Sequence, residues 1–208
     1  MSIELLKKVR LIAPGVIMCL FAVILGAATK WWKLELPDFE KAMYAPSLIL
    51  PGLLYYITPL RKWVNQPHHN RLVEYIRAEL VAAADVDDRP EKYSWRALKP
   101  FYFNMIDNDE SLKTQSKLAY FNGSIWTTFA DTTALSIIYI LISVAIWFIF
   151  GNDGAIFSAV VYFIFGAIGL IGSFSTTKKQ MAIAKDQIDY IEFKYKSNLE
   201  KRIVELDR

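Results

Sequence analysis

The chain has 208 residues, of which 54% are hydrophobic and 22% charged, with a formal net charge of +3 and a mean hydropathy of +0.24. Hydropathy this high beside so many charges requires the two populations to be segregated along the chain, which argues against an ordinary water-soluble globule. A single cysteine, Cys19, excludes an internal disulfide and a Cys-based metal cluster.

Residues 11–29, 42–60, 132–152 and 154–177 carry no Asp, Glu, Lys or Arg. Each stretch approximates the roughly 20 residues that a helix needs to cross the hydrocarbon core at about 1.5 Å per residue. The first predicted span, 11–29, has Pro14 in its first turn, where a missing N–H costs little, and ends at Gly26-Ala27-Ala28. It follows Lys7, Lys8 and Arg10 as the core of a signal peptide would. Its apolar run exceeds the roughly 7–15 residues of a cleaved signal, so it reads as a retained helix. An outer loop, 30–41, turns at Pro37-Asp38 and leads to a second span over 43–60. Pro51-Gly52 near the middle of that span is expected to bend it, as a packing kink or as a hinge.

Residues 61–131 form a predicted cytoplasmic helical segment. Asn70 is expected to cap a helix that presents Leu72, Val73, Ile76, Leu80 and Val81. The run 85–90, Asp-Val-Asp-Asp-Arg-Pro, breaks that helix. Asp109-Glu110-Ser111 opens another, which is expected to continue through Asn122-Gly123 into a third span at 132–150. Gly151-Asn152-Asp153-Gly154 then joins it to a fourth span at 155–174, and only an antiparallel hairpin accommodates so short a turn. A charged helix runs through 175–208. Its apolar positions Met181, Ala184, Ile188, Ile191 and Tyr195 make a narrow seam suited to a partner helix, in the same protomer or in another copy.

The predicted fold is therefore all-α and polytopic: a membrane helix pair (1–60), a cytoplasmic helical segment (61–131), a membrane hairpin (132–174) and a C-terminal cytoplasmic helix (175–208). Of the 24 Lys and Arg residues, 21 fall on the side that holds both termini and 3, Lys30, Lys33 and Lys41, on the other. The positive-inside rule then places both termini in the cytoplasm, with a bacterial inner membrane as the expected location. Trp31, Trp32, Tyr44, Trp63 and Trp126 flank the spans as interfacial anchors.

No catalytic constellation stands out, and no enzyme activity, cofactor or metal is expected. His68-His69 are adjacent, so their side chains diverge, and no zinc-type spacing accompanies them. Asp131 and Asp153 stand at the two ends of the third span, either as rings at a pore mouth or as a helix-start acid and a turn residue. Ser158, Gly166, Gly169, Gly172 and Ser173 line one side of the fourth span, a groove for close helix packing or for an oligomer contact. Arg61, Lys62, Arg71 and Arg77 follow the second span, as an anion or lipid contact or as ordinary positive-inside anchoring. Trp95, Phe101, Tyr102 and Phe103 with Arg96 and Lys99 suit a protein contact or an interfacial foot better than base stacking, so no nucleic acid is expected.

The layout from Asp109 to Leu199, a helix, a membrane hairpin turning at Gly151-Asn152-Asp153-Gly154 and a charged helix with Ala184-Lys185-Asp186-Gln187, resembles SLATT-type membrane effectors and other small multi-pass subunits of prokaryotic antiphage defence systems. The extra N-terminal pair of spans departs from the two-span pattern of that class. The resemblance implies a homo-oligomer that senses a signal in the cytoplasm and compromises or monitors the membrane. The expected function is thus a non-enzymatic membrane protein that couples a cytoplasmic signal, small ligand or soluble protein partner to the bilayer, as a sensor or pore-forming effector. The alternative is a membrane scaffold that recruits a soluble partner and has no pore.

Overall fold

A computed structural model describes residues 3–31, 46–85 and 89–206. Among the described residues there are six α-helices: α1 (Ile3–Thr29), α2 (Pro46–Ile57), α3 (Pro59–Ala84), α4 (Trp95–Asn108), α5 (Glu110–Phe150) and α6 (Asp153–Leu206), with a single 3₁₀ turn at Pro90–Lys92 before α4. Three of them, α1 over Glu4–Thr29, α5 and α6, are long and apolar enough to cross a membrane. The predicted loop residues 32–41, and with them Trp32 and Tyr44, lie outside the described residues.

Several helix boundaries follow local chemistry. Thr58 precedes a proline, a position biased away from the α conformation, and Pro59 lacks the N–H that would continue the ladder, so α2 stops and α3 starts afresh there. Asp85 closes α3 in a left-handed conformation, φ 54°, at the predicted breaker. Ser94 caps α4, its side chain accepting from the Ala97 N–H at 3.3 Å. Gly151, φ 64°, ends α5 where only glycine adopts that backbone freely. Asn152 then starts α6 by accepting the Gly154 N–H at 3.0 Å on its side chain.

Other boundaries correct the sequence expectations. Asn70 caps nothing, because α3 has already run from Pro59 and passes through Pro67. Its Oδ1 instead accepts from Gln66 Nε2 at 2.6 Å. The helix α6 is continuous from Asp153 to Leu206, through the predicted boundary at 174–175, apart from Tyr195, whose φ of −127° and ψ of 19° are not helical.

The chain divides into two compact units, 1–65 with 124–174 and 66–123 with 175–208. The first is a four-segment helical bundle. Gly52 of α2 crosses Gly15 of α1 so closely that an added Cβ would lie 2.9 Å from the Gly15 nitrogen. Arg61, just after α2, reaches the Arg10 carbonyl near the start of α1 at 3.2 Å. The two contacts make α1 and α2 antiparallel. At the other end, Asn152 donates to the Thr29 carbonyl at 3.0 Å, so the hairpin turn lies beside the end of α1. Between these ends Phe21 packs on Tyr162 and Tyr139, with ring centroids 4.8 and 5.4 Å away. The Tyr139 and Tyr162 hydroxyls donate to the Met18 and Phe21 carbonyls, so the half-buried Tyr139 and the fully buried Tyr162 both have their polar ends satisfied.

The second unit has an apolar core built by Ile76, Leu80 and Val81 of α3, Leu98, Tyr102 and Ile106 of α4, Leu112 of α5, and Ala184, Ile188, Ile191, Leu199 and Ile203 of α6. The seam on α6 is thus packed within the protomer. Tyr102 donates to Gln187 Oε1 at 2.5 Å within this core. Asp109 links three helices of the unit. It ends α4, its Oδ1 accepts the backbone N–H groups of Ser111 and Leu112 that open α5, and its Oδ2 accepts Lys194 Nζ at 2.6 Å and Tyr195 Oη at 3.0 Å from α6.

Candidate functional site

The strongest chemical feature of the first unit is a buried ion pair. Arg61 lies in the first turn of α3 and Asp131 deep within α5, with side chains 8% and 1% exposed and Arg61 Nη2 3.2 Å from Asp131 Oδ2. Asp131 Oδ1 accepts from Arg61 Nε at 3.4 Å, Tyr55 Oη at 3.2 Å and Asn65 Nδ2 at 3.4 Å. The guanidinium also donates to the Arg10 carbonyl and stacks 4.4 Å from the centroid of the Tyr56 ring. The α2–α3 junction and α5 therefore meet at one carboxylate, and Arg61 ties α1 to it.

Physical chemistry explains why the cluster is this dense. Removing two ions from water costs several kcal/mol each, and only close geometry with further hydrogen bonds compensates. Arginine suits the task because its planar fork addresses both the carboxylate and a carbonyl. The position of Asp131, buried within α5, replaces the reading of it as a helix-start acid, since the helix begins at Glu110. Both partners stand one residue outside the uncharged stretches 42–60 and 132–152.

The other sequence candidates are scattered. Gly166 faces Ser136 of α5, Gly169 faces Thr133 and the Phe129 carbonyl, and Gly172 faces the Phe129 ring. The glycine groove is thus filled by α5 of the same chain, and Ser158 and Ser173 are buried in the same unit. Asp153 is exposed in the first turn of α6, remote in the bundle from Asp131. Gly52 is a tight helix crossing, and α2 continues through Pro51; the break falls at Thr58.

Of the four basic residues after the second span, Arg61 is engaged with Asp131 and Lys62 is exposed. Arg71 and Arg77 belong to the second unit, where Arg77 pairs with Glu74. Trp63 is 66% exposed, whereas Trp126 is 7% exposed and is core. No group of three or more His, Cys, Asp or Glu among the described residues is arranged to hold a metal.

Several polar groups outside the membrane-spanning segments have perturbed acidity, among them Asp109, Lys194 and His68. The Lys194 hydrogen bond, with the Leu112 N–H and the Tyr195 hydroxyl, holds the Asp109 carboxyl well below the usual carboxylate range. The same hydrogen bond pushes Lys194 above the usual ammonium range. His68, whose Nδ1 lies 3.2 Å from Thr177 Oγ1, is pushed down by burial and by the charge on Arg71. Sequence reasoning missed the Arg61–Asp131 pair because the partners are far apart in the chain. The available signal was that both sit at apolar boundaries on the same predicted side. No protein-family model, no curated protein and no solved structure matches this chain.

Proposed function

We propose that the chain is an integral membrane protein that crosses a bacterial inner membrane four times with both termini in the cytoplasm, and that copies of it assemble to couple a cytoplasmic signal or partner to the bilayer. The second crossing, over 43–60, is supported by the antiparallel course of α1 and α2. Described α2 spans about 18 Å at 1.5 Å per residue, and the first residues of the predicted span, 43–45, lie outside the described residues. The charge bias of 21 cationic residues to 3 supports the orientation.

The observation that carries the functional reading is the Arg61–Asp131 pair. Ionisable groups buried in a membrane bundle are costly and mark working parts by default. Here the pair ties α1, the α2–α3 junction and α5 at one end of the bundle, so opening it frees three elements together. In this reading the helical segment 61–131 and the α6 tail receive the signal, the pair opens, and the bundle rearranges, as a sensor or pore-forming effector of the antiphage type. Contacts between copies are assigned to the outward apolar faces of α5 and α6, because the glycine groove is already occupied.

The test is release of dye from liposomes holding the purified chain, run beside the mass of its detergent-solubilised particle. Leakage by a multimer that Asp131→Asn alters supports the effector. A tight multimer favours the scaffold that recruits a soluble protein, and a monomeric particle that leaks nothing refutes both.

A further inference from the structure

We propose that the Arg61 end of the first unit holds the headgroup of an anionic phospholipid, with Lys7, Lys8, Arg10 and Lys62 as its cationic rim and Trp63 as its interfacial anchor. The inference rests on the membrane reading above and adds a ligand to it. The bond from Arg61 to the Arg10 carbonyl, at 3.2 Å, brings the start of α3 against the start of α1. Lys7, Lys8, Arg10 and Lys62 around that junction are all exposed. Among the described residues of this unit the acids are Glu4, Asp131 and Asp153. Asp131 is consumed by Arg61 and Asp153 belongs to the opposite end of the bundle, so only Glu4 opposes four cations.

Exposed apolar residues supply the second, independent observation. Val9 and Ile12 lie 44% and 39% exposed on the same turns of α1 as the basic residues, and Trp63 and Leu60 are exposed beside Lys62. Water disfavours that mixture. The headgroup–acyl boundary satisfies it, because basic side chains snorkel to phosphate while their apolar neighbours meet acyl chains. A soluble phosphate would engage the cations alone and leave Val9, Ile12 and Trp63 wet, so the surface selects a lipid.

The experiment is native mass spectrometry of the full chain in dodecylmaltoside, titrated with dioleoylphosphatidylglycerol or dioleoylphosphatidylcholine. Phosphatidylglycerol is expected to bind more tightly, and to lose about fivefold in affinity for each cation removed, as for a charge near an anionic leaflet. The variant K7Q/K8Q/K62Q should therefore approach phosphatidylcholine behaviour, and K7R/K8R/K62R should keep the preference. If the glutamine variant fails to fold, the salt dependence of phosphatidylglycerol binding to the unaltered chain decides, since rising ionic strength must weaken it selectively. Equal affinity for the two lipids, an unchanged glutamine variant, or displacement of phosphatidylglycerol by millimolar inorganic phosphate would each overturn the proposal. Equal affinities with stable incorporation into bilayers would leave the membrane reading standing and remove only the lipid site.

Discussion

Replacing one partner of the Arg61–Asp131 pair should damage the bundle far more than replacing both. Asp131→Leu leaves a guanidinium whose side chain is only 8% exposed facing a carbonyl and a tyrosine ring. Arg61→Met leaves a carboxylate 1% exposed with only the neutral donors of Tyr55 and Asn65. Each single change is expected to cost about 3–5 kcal/mol, the usual effect of stranding a buried charge. The double variant removes both ions and leaves Tyr55 and Asn65 without their acceptor, about 1 kcal/mol each in lost hydrogen bonds. The coupling in the double-mutant cycle is therefore several kcal/mol and favourable. Unfolding in mixed dodecylmaltoside–dodecyl sulfate micelles, followed by circular dichroism, measures all four chains. Single variants that each cost less than about 1 kcal/mol, or a double variant that costs their sum, would refute the argument that the two charges depend on each other.

Three further outcomes follow from the packing and the titrating groups. Gly169→Ala places a Cβ 2.8 Å from the Phe129 carbonyl and 3.1 Å from the Thr133 nitrogen; backbone cannot step aside cheaply, so a loss of about 1–3 kcal/mol is expected in the same micelle assay. Gly123→Ala meets nothing within 4 Å inside α5 and should gain about 0.5–1 kcal/mol, so equal effects of the two substitutions would contradict the assigned helix contact. His68 is depressed in the fold, so its contribution is complete above the unfolded value near 6.5 and declines as pH falls through the lower folded value. His68→Gln should flatten that acid limb of a thermal melt series, and an unchanged limb would exclude His68 as its source. Asp109 is also depressed, and its stabilisation is whole above the usual carboxylate range near 4 and lost below it; Lys194 is raised, and its share is whole below about 10.4 and lost as pH rises through the folded value. Between those limits the Asp109–Lys194 link gives a flat profile, and Asp109→Ala should lower the melting temperature by a similar amount across it.

The three long apolar helices were legible because crossing hydrocarbon imposes a length and a charge rule that a window of about 20 residues displays. Breaks carried by backbone chemistry, at Gly151 and at 85–90, were legible for the same local reason. Asn70 failed as a cap because the helix around it is set by Pro59, upstream, and by its packing. The glycine face of the fourth span was readable as a groove, but its occupant, Phe129, Thr133 and Ser136, is fixed by the hairpin register and not by local composition. The site depended most on tertiary structure: nothing near Asp131 in sequence indicates Arg61, Tyr55 or Asn65, and only the packing of the α2–α3 junction against α5 brings them together.

The irregular residue in α6 sets the phase of everything beyond it. In an unbroken helix Ile191 and Leu199, eight positions apart, would point about 80° away from each other at 100° per residue, yet both are fully buried in one core. The non-helical backbone at Tyr195 lies between them, so the phase of the last turns against the core depends on one backbone step. Deleting a single residue from that turn would carry Glu200 into the place of Leu199 and Val204 into that of Ile203, and the tail would lose its hold on the core while the helix before it stayed seated.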